Sequence, residues 1–401
     1  MLRDISSVTF AFFYVNILGY VFHSVISRSL GPVGYGEFMV LYSFMLTVGN
    51  ITSLLATVSV KTLVENFDSR YEFLRSLRLI GIVLGVIFAF FVCLMSPYLK
   101  SFLYVTEYYY FFIIALVWLG MFMLAVERSF LQSVGKFPLF AFSSAMELTI
   151  RLITAVTVLL LGFKVGGVIF SSAAGIFAVL LFLLLKNSEL FGKRAKLNIK
   201  KMVKIALYVS PSGFFVYADD IFIRRVFDES TAGLFASASI VGKVLIWLTL
   251  TLLGVYFPKF VRYKETSEIK RFFLQMVGLI FLIELLSQFV LLTIGEFLFL
   301  ALFGEKFKEA VLYLPYYFLS VLPLLLTLLF ISIFTALEKG FFLIYFHLLV
   351  YYLGFIVLSF TSVFSYIKYI FVVNLIFCFI YFTLLKAVFL KGKLTKININ
   401  F

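Results

Sequence analysis

Charge is scarce in this chain of 401 residues, since Asp, Glu, Lys and Arg make up 13% of it, about half the share of a soluble domain. Hydrophobic residues make up 63%, and the mean hydropathy is +1.11. This balance excludes a soluble globular protein and predicts an integral membrane protein. Cysteine is also rare: Cys93 and Cys378 stand singly inside apolar runs, without the spacing of a disulfide framework or a metal site.

The motifs of catalytic chemistry are missing as well. The sequence has no cluster of histidines and carboxylates, no metal-ligand spacing and no phosphate-binding glycine loop. A membrane enzyme such as a polysaccharide polymerase or ligase needs a catalytic loop outside the bilayer, and the connections on the outer side hold only a few residues each. Such an enzyme is therefore the least favoured of the functions considered. We therefore expect no enzyme, no cofactor and no resident metal. A coupling ion, H⁺ or Na⁺, is compatible with a transporter, and no sequence feature selects one.

Apolar runs long enough to cross a bilayer fill most of the chain. A spanning helix needs roughly 20 mostly apolar residues, and twelve such runs lie between charge clusters, glycines or prolines. They are 5–26, 37–60, 79–98, 108–127, 138–161, 165–186, 204–227, 233–257, 275–295, 309–336, 341–361 and 367–388. The connections are too short to fold as domains, so any function resides among the helices.

Positive charge is distributed unevenly over the connections. On the side of the N-terminus lie 24 of the 34 Lys and Arg residues, and 8 lie on the other side. Because cytoplasmic loops are enriched in Lys and Arg, we expect both termini in the cytoplasm and a multi-pass protein in the cytoplasmic (inner) membrane. Topology and attraction to anionic membrane lipids then explain the net charge of +14, and no nucleic acid is expected as a partner.

A weak internal repeat begins after the first span. ISRSLGPVGYGEF at 26–38 matches IRRVFDESTAGLF at 223–235, an offset of 197 residues that aligns Gly36 with Gly233. The glycines and the proline of the first copy are expected to form a tight connection between spans 1 and 2.

A second match has a similar offset, since GKFPLFAF at 135–142 resembles KGFFLIYF at 339–346. Together the two matches predict an all-α polytopic membrane protein of about 12 transmembrane helices, in two pseudo-symmetric six-helix lobes around a central cavity. The lobes are expected at 1–200 and 201–401, the second ending in a short basic tail.

Several motifs resemble the polysaccharide-transporter branch of the MOP flippase superfamily. They are SRSLGPVGYGEF at 27–38, VERSFLQSVGKFPLFAFSSAMELTIRL at 126–152, DDIFIRRVFDESTAGLFASASIVGKVL at 219–245 and FPKF at 257–260. This branch contains the Wzx-type O-antigen and lipid-linked oligosaccharide flippases and is related to the MATE drug exporters. The resemblance implies a two-lobed helix bundle of MOP/MATE type that flips a glycan on a polyprenyl phosphate or diphosphate across the membrane by alternating access, in cell-surface polysaccharide biosynthesis. The implied partners are that glycan and glycosyltransferases or a polymerase of the same pathway.

A MATE-like exporter of small cations is the alternative within the same fold. Such substrates favour an acidic cavity, which Asp219, Asp220 and Glu147 would supply. The cation Lys243 and the closer motif resemblance argue for the glycan flippase.

Ionisable residues within spans are the first candidates for a transport site, because each costs about 2.5–3.5 kcal/mol on insertion scales and usually faces a cavity or a partner. Lys243 lies near the midplane of span 8, either lining the cavity to meet an anionic phosphate or sugar acid, or in an interhelical ion pair. Glu147 and Arg151 lie four residues apart on one face of span 5. They form either a structural pair or an electrostatic element at the lobe interface.

Span 7 combines two carboxylates with a break in its apolar run. The resembling family has an aspartate here, so Asp219 or Asp220 is a candidate for facing the cavity, whereas the four-residue spacing from Asp220 to Arg224 permits an ion pair. Pro211 and Gly213 interrupt the same span, and they are candidates for a hinge or for a kink needed only for packing.

Two further pairs remain. Arg28 and Arg225 occupy matching positions at the outer ends of spans 1 and 7, where two guanidiniums suit either a diphosphate or lipid headgroups. Glu284 and Gln288 share one face of span 9, where hydrogen bonds to other helices are favoured over proton transfer.

Overall fold

Helices make up nearly all of the chain that the computed structural model describes, namely residues 2–187, 192–200, 202–203, 211–262, 266–337 and 339–390. Within these ranges no strand occurs. The α-helices are α1 Leu2–Glu65, α2 Arg70–Leu94, α3 Ser96–Leu103, α4 Tyr110–Ser133, α5 Phe137–Leu160, α6 Val165–Lys186, α7 Pro211–Val226, α8 Glu229–Arg262, α9 Thr266–Phe303, α10 Leu314–Ala336, α11 Phe341–Val357 and α12 Val363–Leu390. Short 3₁₀ helices cover Phe67–Ser69 and Glu305–Tyr313.

The predicted spans coincide with these helices. The described residues contain nine helical stretches that are long and apolar enough to cross a membrane, and one of them, Phe13–Glu65, holds residues 13–26 of the first predicted span and all of the second. The apolar helix α11 is shorter. Residues 204–210 of the seventh predicted span lie outside the described residues. The chain is a multi-pass membrane protein, as its composition predicts.

The first two spans form a helical hairpin that reverses at Gly31. This residue has φ 66° and ψ −179°, a backbone conformation that only glycine adopts readily, and Pro32 follows at the start of the second arm. The rings of Phe22 and Phe38 lie 6.0 Å apart, whereas 16 residues of uninterrupted helix would separate them by about 24 Å. The tight connection predicted from the glycines and the proline is therefore present.

The chain divides into two compact units. The first comprises Met1–Ser210, Asp220–Gly233 and Leu300–Phe307, and the second comprises Pro211–Asp219, Leu234–Phe299 and Lys308–Phe401. In the first unit α4 packs against α1, α2 and α6, while α5 packs against α1 and α6. In the second unit α10 packs against α12. The lobe boundary at residue 200 stays a prediction.

Within the first unit, the two copies of the repeated stretch contact each other reciprocally. A Cβ on Gly233 would overlap the carbonyl group of Pro32, and a Cβ on Gly36 would lie 3.3 Å from the carbonyl oxygen of Glu229. The offset of 197 residues pairs Pro32 with Glu229 and Gly36 with Gly233. The same Cβ on Gly36 would lie 2.8 Å from the backbone nitrogen of Gly233. Each copy therefore contacts the other through equivalent residues, as two copies related by a local twofold axis do.

The second copy is held by a capped helix start. The Asp228 carboxylate accepts hydrogen bonds from the backbone N–H groups of Ser230 and Thr231, at 3.0 and 3.1 Å, so it caps α8. Hydrogen bonds from Thr231 hold the pKa of the Asp228 carboxyl below its usual value. The stabilisation is therefore complete above the ordinary pKa of an aspartate and is lost as the pH falls through the lower folded value.

We expect Gly233→Ala to destabilise the protein by about 1–3 kcal/mol, because the new methyl group meets backbone that cannot yield like a side chain. Gly278→Ala in α9 is the matched control, since nothing lies within 4 Å of its Cβ position. That control should stabilise its helix by about 0.5–1 kcal/mol. Thermal unfolding of both purified variants checks the prediction, and equal midpoints would contradict the close approach.

Candidate transport site

A buried group of polar residues surrounds Asp219 in the second unit. The Lys243 ammonium lies 3.1 Å from Asp219 Oδ1, and the Tyr317 hydroxyl donates to Asp219 Oδ2 at 2.5 Å. The Ser239 hydroxyl donates to the Tyr317 oxygen at 3.3 Å. We call Asp219, Ser239, Lys243 and Tyr317 the aspartate cluster, and all four side chains are buried.

Three helices build the aspartate cluster, and α12 supports it. Asp219 lies on α7, Ser239 and Lys243 on α8, and Tyr317 on α10. Gly242 makes room for the ring of Tyr317, which a Cβ at that position would overlap. From α12 the Tyr366 hydroxyl donates to the Asp219 carbonyl oxygen at 2.6 Å.

In the aspartate cluster, Lys243 is bound by a carboxylate of another helix. Its ammonium lies in an interhelical ion pair and 5.6 Å from the centre of the Tyr217 ring. The pair carries no net charge, so Lys243 presents no excess positive charge in this arrangement. A direct contact between Lys243 and substrate stays a prediction.

A second charged group lies in the first unit, between α4 and α5. The two oxygens of Glu147 are each held by one arginine, Arg128 at 2.8 Å and Arg151 at 2.8 Å. Arg128 also donates to the hydroxyl and the carbonyl oxygen of Ser143, at 3.1 and 3.0 Å. We call Arg128, Ser143, Glu147 and Arg151 the arginine cluster.

The arginine cluster carries an excess of one positive charge, because two guanidiniums share one carboxylate. No acceptor among the described residues reaches Arg151 Nε. The cluster is accessible, since the side chains of Arg128 and Glu147 expose 20% and 15% of their surface. The predicted Glu147 and Arg151 contact is present. Arg128 follows the predicted span 108–127, and no pattern in the sequence predicts that it lies beside Glu147 of span 5.

Asp220 and Arg224 have other recorded partners than each other. Asp220 Oδ2 accepts a hydrogen bond from the Ser43 hydroxyl at 3.0 Å. Arg224 forms an ion pair with Glu229 at 2.6 Å, across the connection between α7 and α8. Asp220 and Arg224 are both buried.

Arg28 and Arg225 each bind the C-terminal end of a helix. Arg28 donates from Nη2 to the Ala301 carbonyl oxygen at 2.5 Å and from Nε to that of Leu302 at 3.2 Å, in the last turn of α9. Arg225 donates to the Phe102 carbonyl oxygen at 3.4 Å near the end of α3, and its guanidinium lies 4.6 Å from the centre of the Phe102 ring. A cation at a helix C-terminus is stabilised by the unpaired carbonyls and the helix dipole. This contact supplies a role for each arginine without a diphosphate, and diphosphate binding stays a prediction.

The hinge candidates lie at the start of α7, which begins at Pro211 and includes Gly213. The preceding residues 204–210 and the Pro211 side chain lie outside the described part of the chain. A hinge at these positions stays a prediction.

No family model matches the chain, and no curated protein matches it in sequence. Its structure is similar to that of an inward-facing multidrug resistance MATE family transporter of the MOP superfamily, with a TM-score of 0.77 at 13% identity over 95% of this chain and 96% of that chain. The chain has the MATE/MOP transporter fold.

Other solved transporters agree with this fold. A MOP superfamily transporter from Pyrococcus furiosus, for which a reverse polarity of the binding pocket suggests a different function, has a TM-score of 0.66 at 15% identity over 98% of this chain and 96% of that chain. A Vibrio cholerae MATE transporter in its bent form has a TM-score of 0.64 at 15% identity, with 97% of each chain covered.

We expect Lys243→Met to destabilise the protein by about 3–5 kcal/mol, because it leaves the Asp219 charge buried without its cation. Adding Asp219→Asn should recover most of the loss, since asparagine has no charge but still accepts from Tyr317. The thermal unfolding midpoints measure both effects, with Lys164→Met at an exposed cation as the control. A single variant as stable as the wild type would contradict the ion pair.

Proposed function

We propose that the chain flips an anionic lipid-linked oligosaccharide from the inner to the outer leaflet of the cytoplasmic membrane, with both termini in the cytoplasm. The substrate class is a repeat unit of cell-surface polysaccharide on a polyprenyl phosphate or diphosphate. Support comes from the MATE/MOP fold, the motifs of the polysaccharide-transporter branch and, above all, the net positive charge of the arginine cluster.

The arginine cluster suits a phosphate better than Lys243 does. Asp219 already neutralises the Lys243 ammonium at 3.1 Å, whereas Glu147 neutralises only one of its two arginines. Arg151 Nε is buried, and it has no acceptor among the described residues. Guanidiniums bind phosphate oxygens through paired donors at fixed geometry.

Glu147 has a defined task in this proposal. It fixes the orientation of both guanidiniums before the substrate arrives, and so reduces the ordering cost of binding. It also lowers the excess charge of the cluster to one, which eases the later release of the phosphate. A transporter needs both properties, because a site that binds too tightly does not turn over.

Export of a small cation is the second candidate function. The MATE transporters among the solved structures favour it, as do the buried carboxylates Asp219 and Asp220. Against it stands the ion pair with Lys243, which neutralises Asp219. The glycan flippase is therefore the function that the charges of the described residues support best.

Replacing Arg151 with Gln should slow flipping of a fluorescent polyprenyl diphosphate oligosaccharide in proteoliposomes by about 10-fold or more. The reason is that a hydrogen bond to a charged group contributes about 1.5–3 kcal/mol, and every 1.4 kcal/mol is tenfold. Arg151→Lys should recover only part of the rate, because an ammonium keeps the charge but not the paired donors. The rate is measured as loss of fluorescence to a membrane-impermeant quencher.

Lys136→Gln is the control, since this exposed cation lies just before α5 and outside the arginine cluster. If the Arg151→Gln variant flips the substrate at the wild-type rate and keeps the wild-type thermal stability, the arginine cluster does not contact the substrate. If the wild-type protein flips no glycan but exports a fluorescent organic cation from the same liposomes, the exporter replaces the flippase.

A further inference from the structure

A cavity of about 290 Å³ lies in the first unit, beside the end of α1. The last turns of α1, Phe73 of α2 and the connection that follows α6 line this cavity. Its polar lining residues are Lys61, Thr62, Glu65, Asn66, Lys196 and Asn198. We call this space the basic cavity. Its volume is close to the lower end of the range for small-molecule sites, about 300–1,000 Å³, so it suits one small ligand.

The connection that carries Lys196 is fixed against α2. The Ser76 hydroxyl donates to the Ala195 carbonyl oxygen at 2.7 Å, and the Ala195 N–H donates to the Glu72 carbonyl oxygen at 3.2 Å. The next apolar residue, Leu197, packs against the apolar core between α1, α2 and α4. This wall of the basic cavity is therefore in place before a ligand arrives, which reduces the ordering cost of binding.

The charges of the basic cavity are unbalanced. Its lining holds two ammoniums, those of Lys61 and Lys196, and one carboxylate, that of Glu65. No acidic group among the described residues forms an ion pair with either lysine. Both lysines are exposed, so a ligand can reach them, and the connection adds the exposed cations Lys193, Arg194 and Lys200. The surroundings of the cavity therefore attract anions.

A phosphate group fits this lining in charge and in hydrogen bonding. Lysines bind phosphate as point charges, and the several oxygens of a phosphate accept from more than one donor at once. The amide and hydroxyl groups of Asn66 and Thr62 supply further donors in the same lining. Val58 of the lining belongs to the predicted span 37–60, so the cavity reaches the edge of the membrane. Basic pockets between helices at this depth bind the headgroups of anionic lipids.

We propose that the basic cavity binds a phosphate group, with Lys61 contacting it from α1 and Lys196 contacting it from the connection after α6. The headgroup of an anionic lipid and a soluble phosphate compound share this chemistry. Either ligand would link the connection between α6 and α7 to the end of α1. The inference does not depend on the identity of the transported substrate or on the arginine cluster.

Lipid binding to the full-length protein tests the headgroup. Native mass spectrometry measures how much phosphatidylglycerol the protein retains from nanodiscs that contain increasing fractions of it in phosphatidylcholine. Lys61→Gln and Lys196→Gln should each weaken this binding by about 10-fold, because each removes a hydrogen bond between charged groups. Glu65→Gln should tighten it several-fold, since it removes the only carboxylate among the lining residues. Lys136→Gln is the matched control, because this exposed lysine of the same predicted side lies outside the lining.

Inorganic phosphate tests the soluble source. The thermal unfolding midpoint of the protein in a neutral detergent is measured in sodium phosphate and in sodium chloride of equal ionic strength. Phosphatidylglycerol binding without an effect of phosphate assigns the cavity to a lipid headgroup. A higher midpoint in phosphate, without retained phosphatidylglycerol, assigns it to a soluble phosphate compound.

Three results would overturn the site. They are a wild-type protein that binds neither probe, lysine variants that bind both probes like the wild type, and an equal loss of binding in Lys136→Gln. Lys61 and Lys196 are exposed, so we expect their variants to fold, as unfolding midpoints in chloride will check. Flipping of a glycan is not needed for any of these measurements, so the failure of the proposed function would leave the phosphate site standing.

Discussion

A charge placed among apolar helices is costly unless another group compensates it, and two ion pairs between helices of this protein meet this constraint. Lys243 of α8 and Asp219 of α7 satisfy each other at 3.1 Å. Arg78 of α2 and Glu127 of α4 do so through two hydrogen bonds. Since the loss of either partner leaves the other charge uncompensated, each pair fixes the register of two helices more strictly than apolar packing does.

The hydropathy pattern was sufficient to place the helices, because the bilayer imposes a length of apolar sequence that few other structures require. The reversal at Gly31 was equally predictable, since the local backbone demands a glycine. The 197-residue repeat aligned Gly36 with Gly233 as equivalent positions, but it did not predict that they contact each other. Local sequence signals therefore predict the structure of one hairpin, and the repeat identifies which later residues are equivalent to it.

The charged clusters were predictable only where their members lie on one helix. Glu147 and Arg151 are four residues apart, so helical geometry alone brings them together. Lys243 and Asp219 are 24 residues apart on different helices, and Arg128 lies on α4 whereas Glu147 lies on α5. Their partners depend on helix packing, which a single sequence does not encode in a readable way. For this reason the sequence left open whether Lys243 pairs with a residue of another helix or meets the substrate.

The residues that remain informative about transport are those whose charge is incompletely compensated. A neutral pair such as Lys243 and Asp219 is explained by stability alone, because its removal harms the fold whatever the protein carries. The arginine cluster keeps one excess positive charge among the described residues. Stability does not favour this arrangement, since an apolar residue or a full pair would cost less at the same position. In the proposed function, this excess charge is explained by an anion that binds to the cluster and later leaves it.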